Sequence, residues 1–239
     1  MQQSAKFPTT RWTLIVSAGQ GSGGAAGDAL AALCERYWYP IYAFTRRRGY
    51  SSPEAQDLTQ EFFARLLEKR SIEQADPAKG RFRTYLLSSL QYFLADESER
   101  RLALKRGGAV HHLSLPLESG EERYQHDPRS QETPERIFER RWALALIERV
   151  LSLLRQSFER EGRAGHFDRL KPFLLGTDAA PYAELAAQLG ATEGALRLAV
   201  HRLRRRYRDL FRAEIADTVA FPEEIDGEIR YLLKVLSAG

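Results

Sequence analysis

The chain has 239 residues, of which 43% are apolar, enough for a buried core, and this excludes a disordered tail. Its 36 Lys and Arg nearly balance 32 Asp and Glu; the net charge of +4 excludes an acidic solvating protein and is too small to indicate nucleic-acid binding. The single cysteine, Cys34, excludes an internal disulfide framework and a cysteine-based zinc site. Abundant Ala, Leu, Arg and Glu, with few Val and Ile, favour an all-helical fold.

The N-terminal stretch is not expected to target or anchor the protein. Its apolar run from Trp12 to Val16 is shorter than the roughly 7–15 residues of a signal-peptide core. No stretch approaches the ~20 apolar residues of a membrane helix. We therefore interpret residues 1–27 as an N-terminal extension and expect a cytoplasmic protein without membrane insertion.

Residues 28–106 are predicted to form a first domain of three helices. Apolar residues recur at spacings of three and four in each helix. Asp28 is placed to cap the first helix, and Ser52 to cap the second, with Pro53 at the first helical position. The third helix is predicted from Arg81 to about Lys105.

The periodicity then breaks and resumes. Residues 107–133 accumulate glycine, proline, serine and charge, which predicts a flexible linker and a domain boundary. A second helical domain is predicted over residues 134–218, opened by a cap at Thr133. Residues 219–239 form a C-terminal extension with an amphipathic helix. The predicted fold is therefore all-α, with two helical domains joined by a flexible linker.

Residues 181–207 have the features of a helix-turn-helix. Gly190 allows the left-handed conformation that ends a short first helix. Thr192 is placed to cap the second helix. Three apolar residues at spacings of four and three anchor the second helix to the first: Leu196, Val200 and Leu203.

The second helix of this motif is basic. From Pro181 to Glu214, seven arginines stand against four carboxylates, so most of the chain's positive excess lies here. Arginine on a helix in the major groove can read guanine edges and grip phosphates. A solvated arginine-covered face is the alternative interpretation. The expected DNA-binding residues are Thr192, Glu193, Arg197, Leu198, His201, Arg202 and Arg205.

Two separate parts of the chain resemble one protein family. The segment PYAELAAQLGATEGALRLAVHRLRRRYRDL resembles region 4 of bacterial sigma factors of the extracytoplasmic-function (ECF) group. The segments ALCERYWYPIYAFTRRRG, PEAQDLTQEFFARLLEK and GRFRTYLLSSLQYFLADESERR resemble the three main helices of region 2 in the same group, in the same order. The resemblance covers residues 29–106 and about 134–215. The stretch after Ala220 exceeds the minimal family pattern, which implies an atypical subgroup with a C-terminal extension.

The resemblance implies a transcription initiation factor. In this family, region 2 binds the clamp helices of the largest RNA polymerase subunit and helps melt the minus-ten promoter element. Region 4 reads the minus-thirty-five element and docks on the beta flap. The implied partners are RNA polymerase core and promoter DNA, with an anti-sigma or other regulatory protein left open. No catalytic centre, cofactor or metal site is expected.

The resemblance also assigns residues in the first domain. It implies polymerase contacts at Asp57, Gln60 and Glu61, where an ordinary solvated face would otherwise be expected. A melted strand needs cations for its backbone and flat groups for its bases. The expected DNA-binding residues here are Lys79, Arg81, Arg83, Tyr85, Gln91, Tyr92, Arg100 and Arg101. For Tyr85, core packing beside Phe82 and Leu86 is an equal alternative.

Other interpretations remain open at this point. The chain could be a helix-turn-helix regulator that acts without polymerase, or a helical enzyme or scaffold with an incidental basic helix. His111 and His112 lack the pattern of a metal site, and Cys34 suits a buried apolar position. The amphipathic stretch Glu223–Leu236 either folds back on one domain and holds the factor inactive or extends the second domain's core, which we favour.

Overall fold

The structure is a computed structural model that describes residues 37–68, 81–103, 118–125, 132–176 and 181–237. Throughout these residues the chain forms helices and turns without a strand, which confirms the predicted all-α fold. None of the described helices has the length and apolar character that crossing a membrane requires. The helices are α1 (37–47), α2 (Ser52–Glu68), α3 (Phe82–Ala103), α4 (Glu118–Gln125), α5 (Pro134–Arg160), α6 (Ala164–Leu170), α7 (Pro172–Leu175), α8 (Tyr182–Gln188), α9 (Glu193–Ala216) and α10 (Ile225–Ser237), with a 3-10 turn at Pro222–Glu224.

The chain divides into two compact units. The first unit joins Met1–Ala145 with Ile215–Gly239, and the second is Leu146–Glu214. The sequence pattern had assigned residues 134–218 to one domain, whereas the structure groups both ends of that range with the N-terminal helices. The side chains at both ends of that range pack within the first unit. The periodicity of a single helix shows that such side chains are buried, but it does not show which other helix buries them.

An aromatic cluster holds the start of α5 in the first unit. The Trp142 indole stacks on the Tyr37 ring of α1, with centroids 3.8 Å apart and 14° between the planes. Phe82 of α3 and Phe138 also contact Trp142, each with centroids 5.9 Å away. All four side chains are fully buried. Aromatic pairs of this kind contribute beyond the area they bury, so they anchor α5 to α1 and α3.

Helix α2 begins with a cap in which the Glu54 side chain reaches back to Ser51. The Glu54 carboxylate accepts hydrogen bonds from the Ser51 backbone N–H at 2.9 Å and from the Ser51 hydroxyl at 2.7 Å. The Ala55 N–H donates to the Ser51 carbonyl at 2.9 Å. The capping residue is therefore Ser51, one position before the predicted Ser52, because Glu54 then stands at the third helical position that a capping box requires.

Part of the predicted flexible linker is a helix packed on α1. Gly120 of α4 lies so close to α1 that a Cβ there would be 3.0 Å from the Trp38 ring. The Glu121 carboxylate accepts hydrogen bonds from the Arg46 guanidinium and, at 2.6 Å, from the Tyr42 hydroxyl. The sequence did not predict this helix, because its residues, ESGEERYQ, have no apolar side chains at helical spacing.

The second unit is built around one apolar cluster. It is formed by residues of α5 through α9, namely Leu154, Phe158, Phe167, Leu170, Phe173, Leu185, Ala186, Leu196, Val200 and Leu203. The last five belong to the helix pair α8–α9. The pair is thus fixed on a scaffold supplied by α5, α6 and α7.

The C-terminal segment belongs to the first unit. Ile215 and Val219 are fully buried there, and the Phe82 backbone N–H donates to the Thr218 carbonyl at 3.0 Å. That bond satisfies a donor in the first turn of α3, which lacks a partner within its own helix. The interpretation that the extension completes the second domain's core was wrong, because its buried side chains and hydrogen bonds engage α3 instead.

Candidate nucleic-acid and polymerase interfaces

The turn between α8 and α9 has the geometry that its sequence predicted. Gly190 adopts a φ of 60°, in the left-handed region. The Ala191 N–H donates to the Ala186 carbonyl at 2.9 Å and the Gly190 N–H to the Ala187 carbonyl at 3.2 Å, the paired bonds of a Schellman motif. The Thr192 hydroxyl accepts from the Ala195 N–H at 3.2 Å and caps α9.

Helix α9 is held to α8 by its apolar stripe. Leu196, Val200 and Leu203 are buried and share a cluster with Leu185 and Ala186 of α8. The seven positions expected to contact DNA lie away from this stripe, and every one of them is exposed: Thr192, Glu193, Arg197, Leu198, His201, Arg202 and Arg205. An apolar side chain as exposed as Leu198, at 49%, fits a contact surface.

The arginines of α9 have different partners. Arg204 donates to the Phe173 carbonyl at 3.0 Å, and Arg206 pairs with Glu161 at 3.0 Å, so both brace the second unit. Arg197 pairs with Glu193 and lies over the Tyr182 ring, 4.6 Å from its centroid. Neither Arg202 nor Arg205 forms an ion pair with any residue that the structure describes. These two guanidinium groups are open to a ligand.

The cations at the start of α3 are already engaged. Arg83 is buried, and its Nε donates to Glu228 Oε1 of α10 at 2.7 Å. Its Nη1 pairs with Glu139 Oε1 at 3.0 Å. Arg81 Nη1 lies 2.8 Å from Glu228 Oε2. In this arrangement Arg83 is closed off from solvent, and Arg81, which is 28% exposed, is held by Glu228.

Tyr231 of α10 completes this cluster. Its ring lies under the Arg83 guanidinium, 4.1 Å from centroid to Cζ, and its hydroxyl donates to Glu139. Burial, followed by the hydrogen bond to Glu139, raises the pKa of Tyr231. The sequence pattern did not reveal a role for Glu139, Glu228 or Tyr231. A usable signal was Glu228 at an inward position between Ile225 and Leu232, because a carboxylate on an apolar stripe requires a cationic partner.

The remaining predicted strand-binding residues differ in exposure. Tyr92 is 79% exposed and presents an open aromatic face. Tyr85 is half-buried, and burial raises its pKa, so it has less ring surface to offer. Gln91 is exposed and donates to Glu135 at 3.2 Å, and Arg100 pairs with Asp96 at 2.9 Å. Lys79 and the Arg101 side chain lie outside the described residues.

The predicted polymerase-binding face of α2 is only partly open. Asp57 is exposed, and Gln60 is half-exposed. Glu61 pairs with Arg65, which also pairs with Glu97 of α3. Glu61 therefore also supports the arginine that links α2 to α3, a role the sequence did not reveal because Glu97, the other partner of Arg65, lies on another helix.

Within the described ranges, no three His, Cys, Asp or Glu side chains come together in a way that could hold a metal ion. The two candidate surfaces are instead suited to binding. One is the exposed face of α9, and the other includes the α2 face around Asp57 and the α3 surface around Tyr92.

Comparison with known proteins bears on the first of the two units. Residues 33–97 match the family model of Sigma-70 region 2. No curated protein and no solved structure gave a significant match. The matched range spans α1, α2 and most of α3, and it agrees with the region 2 resemblance seen in the sequence. Sigma factors are initiation factors that bring RNA polymerase core to promoter DNA. The match over α1–α3 supports a sigma factor of the sigma-70 family.

Proposed function

We propose that this protein is a sigma factor of the ECF group, which directs RNA polymerase core to specific promoters in the cytoplasm and helps to open the promoter DNA. The observation that carries the proposal is the match of residues 33–97 to Sigma-70 region 2. Its exposed Tyr92 on α3 offers a ring on which an unpaired base can stack.

The second unit is proposed to read the minus-thirty-five element as a helix-turn-helix. The support is the capped turn at Gly190 and Thr192, and the exposure of the seven candidate residues at the start and on the outer face of α9. Arg202 and Arg205 are available for guanine edges or phosphates. The same unit is proposed to dock on the beta flap.

The α2 face is proposed to bind the clamp helices of the largest polymerase subunit. Asp57 and Gln60 are its candidate contacts, and Glu61 takes part while keeping its pair with Arg65. An anti-sigma or other regulatory protein that covers this face would block the polymerase contact. The protein is proposed to act without a catalytic centre or cofactor of its own.

Run-off transcription with purified core polymerase over a promoter library tests the proposal. Promoter-specific transcripts that need this protein are expected, together with its retention by core in a pull-down. Promoter binding without retention by core would instead favour a helix-turn-helix regulator that acts apart from polymerase. Absence of both binding to core and specific transcription would reject the sigma factor.

A further inference from the structure

Helix α10 carries a carboxylate on its buried face. Ile225, Glu228 and Leu232 follow one another at spacings of three and four, and all three are buried. Glu228 is only 1% exposed. A carboxylate removed from water to this degree needs charged partners to remain ionised. Its surroundings therefore determine what α10 does in the first unit.

The partners of Glu228 are two guanidinium groups from the start of α3. Its Oε1 is 2.7 Å from Arg83 Nε, and its Oε2 is 2.8 Å from Arg81 Nη1. Oε2 also accepts a longer hydrogen bond from Arg83 Nη2, at 3.4 Å, so Arg83 engages both carboxylate oxygens and Arg81 engages one. Arginine groups recognise the oxygens of a phosphate by the same kind of charge-assisted hydrogen bonds.

The Tyr231 ring adds a second feature of nucleic-acid contacts. The Arg83 guanidinium lies over the face of this ring, 4.1 Å from Cζ to the centroid. Bases stack on guanidinium planes in single-strand complexes through similar forces. Around Arg83, α10 thus supplies both an anion and a flat ring.

The attachment of α10 is polar at its centre. Arg81 also lies beside Gly227, its Nη2 3.5 Å from the position of a Cβ there, an ordinary contact distance. Glu139 of α5 also contacts Arg83, at 3.0 Å, and would stay beside it if α10 moved away. A buried ion pair adds less net stability than its Coulomb attraction suggests, because both groups are desolvated. Such a contact can be exchanged for another anion at lower cost than a purely apolar one.

We propose that α10 competes with a single-stranded DNA backbone for Arg81 and Arg83, with Glu228 in the place of a phosphate group. The proposal rests on the proposed function, because the excluded ligand is the melted promoter strand. In the free protein Arg83 is buried, and Arg81 is paired with Glu228. Binding of the strand displaces α10 and exchanges the carboxylate for phosphate.

The first test compares binding of a labelled single-stranded oligonucleotide by the full chain and by Glu228→Gln. The variant keeps the shape of the side chain and removes its charge. We expect several-fold tighter binding with the same salt dependence, because Arg81 and Arg83 contact phosphate in both complexes and only the competing carboxylate is lost. Glu223→Gln, an exposed acid just before α10, is the matched control and should bind like the wild type. Adding Arg83→Gln to Glu228→Gln should abolish the gain.

Equal affinity in wild type and Glu228→Gln, with unchanged helicity, would overturn the proposal. A second measurement uses the wild type alone and so does not depend on a variant's folding. Saturation with the oligonucleotide should speed amide hydrogen exchange across residues 225–237, and retained protection there in the DNA complex would equally overturn it.

Run-off transcription separates this proposal from the sigma function. If the wild type directs promoter-specific transcription and Glu228→Gln shows no gain in strand binding, α10 does not compete for the strand while the sigma function stands. If neither the wild type nor Glu228→Gln binds core or supports transcription, the sigma function is rejected, whatever the strand-binding measurements show. A gain in strand binding without transcription would support the competition and reject the sigma function.

Discussion

Arg46 and Glu121 form a two-pronged ion pair between helix α1 and the short helix α4. Arg46 Nε lies 2.9 Å from Glu121 Oε2, and Arg46 Nη2 lies 2.9 Å from Oε1. This pair, 75 residues apart in sequence, attaches the segment after α3 to the first unit. Part of the connection expected to be flexible is therefore a helix that an ion pair holds against α1.

The ion pair of Glu121 with Arg46 should make the packing of α4 on α1 sensitive to acid. Hydrogen bonds from Arg46 are the main cause that lowers the pKa of Glu121 to about 2, from 4.5 in the unfolded chain. A lowered pKa contributes stability that is present above pH 4.5 and is lost as the pH falls towards 2. The urea-unfolding free energies of wild type and Glu121→Gln should differ at pH 6 and converge over that window. A difference that stays constant from pH 6 to pH 3 would contradict this.

Gly120 should resist substitution because of the Trp38 ring. A Cβ at residue 120 would lie 3.0 Å from that buried ring, so Gly120→Ala must push α4 or the ring aside. We expect a loss of about 1–3 kcal/mol, typical of overpacking, seen as faster amide exchange in residues 118–125. The control is Gly165→Ala, whose Cβ would meet nothing within 4 Å. Undisturbed exchange in Gly120→Ala would show that α4 tolerates the added carbon.

Tyr92 should matter for strand opening and not for folding. Its ring is 79% exposed, so Tyr92→Ala removes little packing. Stacking of a base on an aromatic ring contributes ~1–3 kcal/mol, and its loss should lower open-complex formation by about tenfold or more. Permanganate footprinting of the promoter measures opening, and the melting temperature checks the fold. Normal opening by Tyr92→Ala would remove Tyr92 from the melting surface.

Arg197→Ala and Arg202→Ala should each weaken recognition of the upstream element while core binding stays intact. A lost phosphate contact lowers the salt dependence of duplex binding by about 0.9, whereas a lost guanine contact relaxes specificity at one base pair. Arg155→Ala, an exposed arginine of α5, is the matched control. Loss of core binding in both α9 variants would contradict the assignment of α9 to DNA.

Asp57→Ala combined with Gln60→Ala should weaken core binding without destabilising the first unit, because neither side chain is buried. The matched control is Gln156→Ala with Glu159→Ala, an exposed pair of the same kind and spacing on α5. A titration of labelled core polymerase measures the affinity. Equal affinities of the two double variants would reject the α2 face as a polymerase contact.

The sequence predicted features that depend on neighbouring residues. The cap at Thr192, the left-handed Gly190 and the buried stripe of α9 are set within one or two helical turns, where spacing and side-chain chemistry suffice. The outward face of α9 follows from the same stripe. These features place the seven candidate DNA contacts on the surface.

Long-range partners could not be read from the sequence. Arg83 carries the charge expected of a strand-binding residue. It is buried because it pairs with Glu228, which lies 145 residues later in the sequence. Similarly, the role of Trp142 in the first unit depends on the distant Tyr37 ring. Helical periodicity reports which side of a helix is buried, and it carries no information on the element that buries it.

The hydrogen bond from Phe82 to Thr218 has a consequence for synthesis. A ribosome releases residues 146–214, the whole second unit, before it releases the segment that completes the first. A chain that ends before Thr218 would contain the whole second unit, and its α3 would lack the carbonyl that accepts from the Phe82 N–H and the Glu228 carboxylate that pairs with Arg81 and Arg83. The order of synthesis therefore leaves the first unit, which begins earliest, to be completed last.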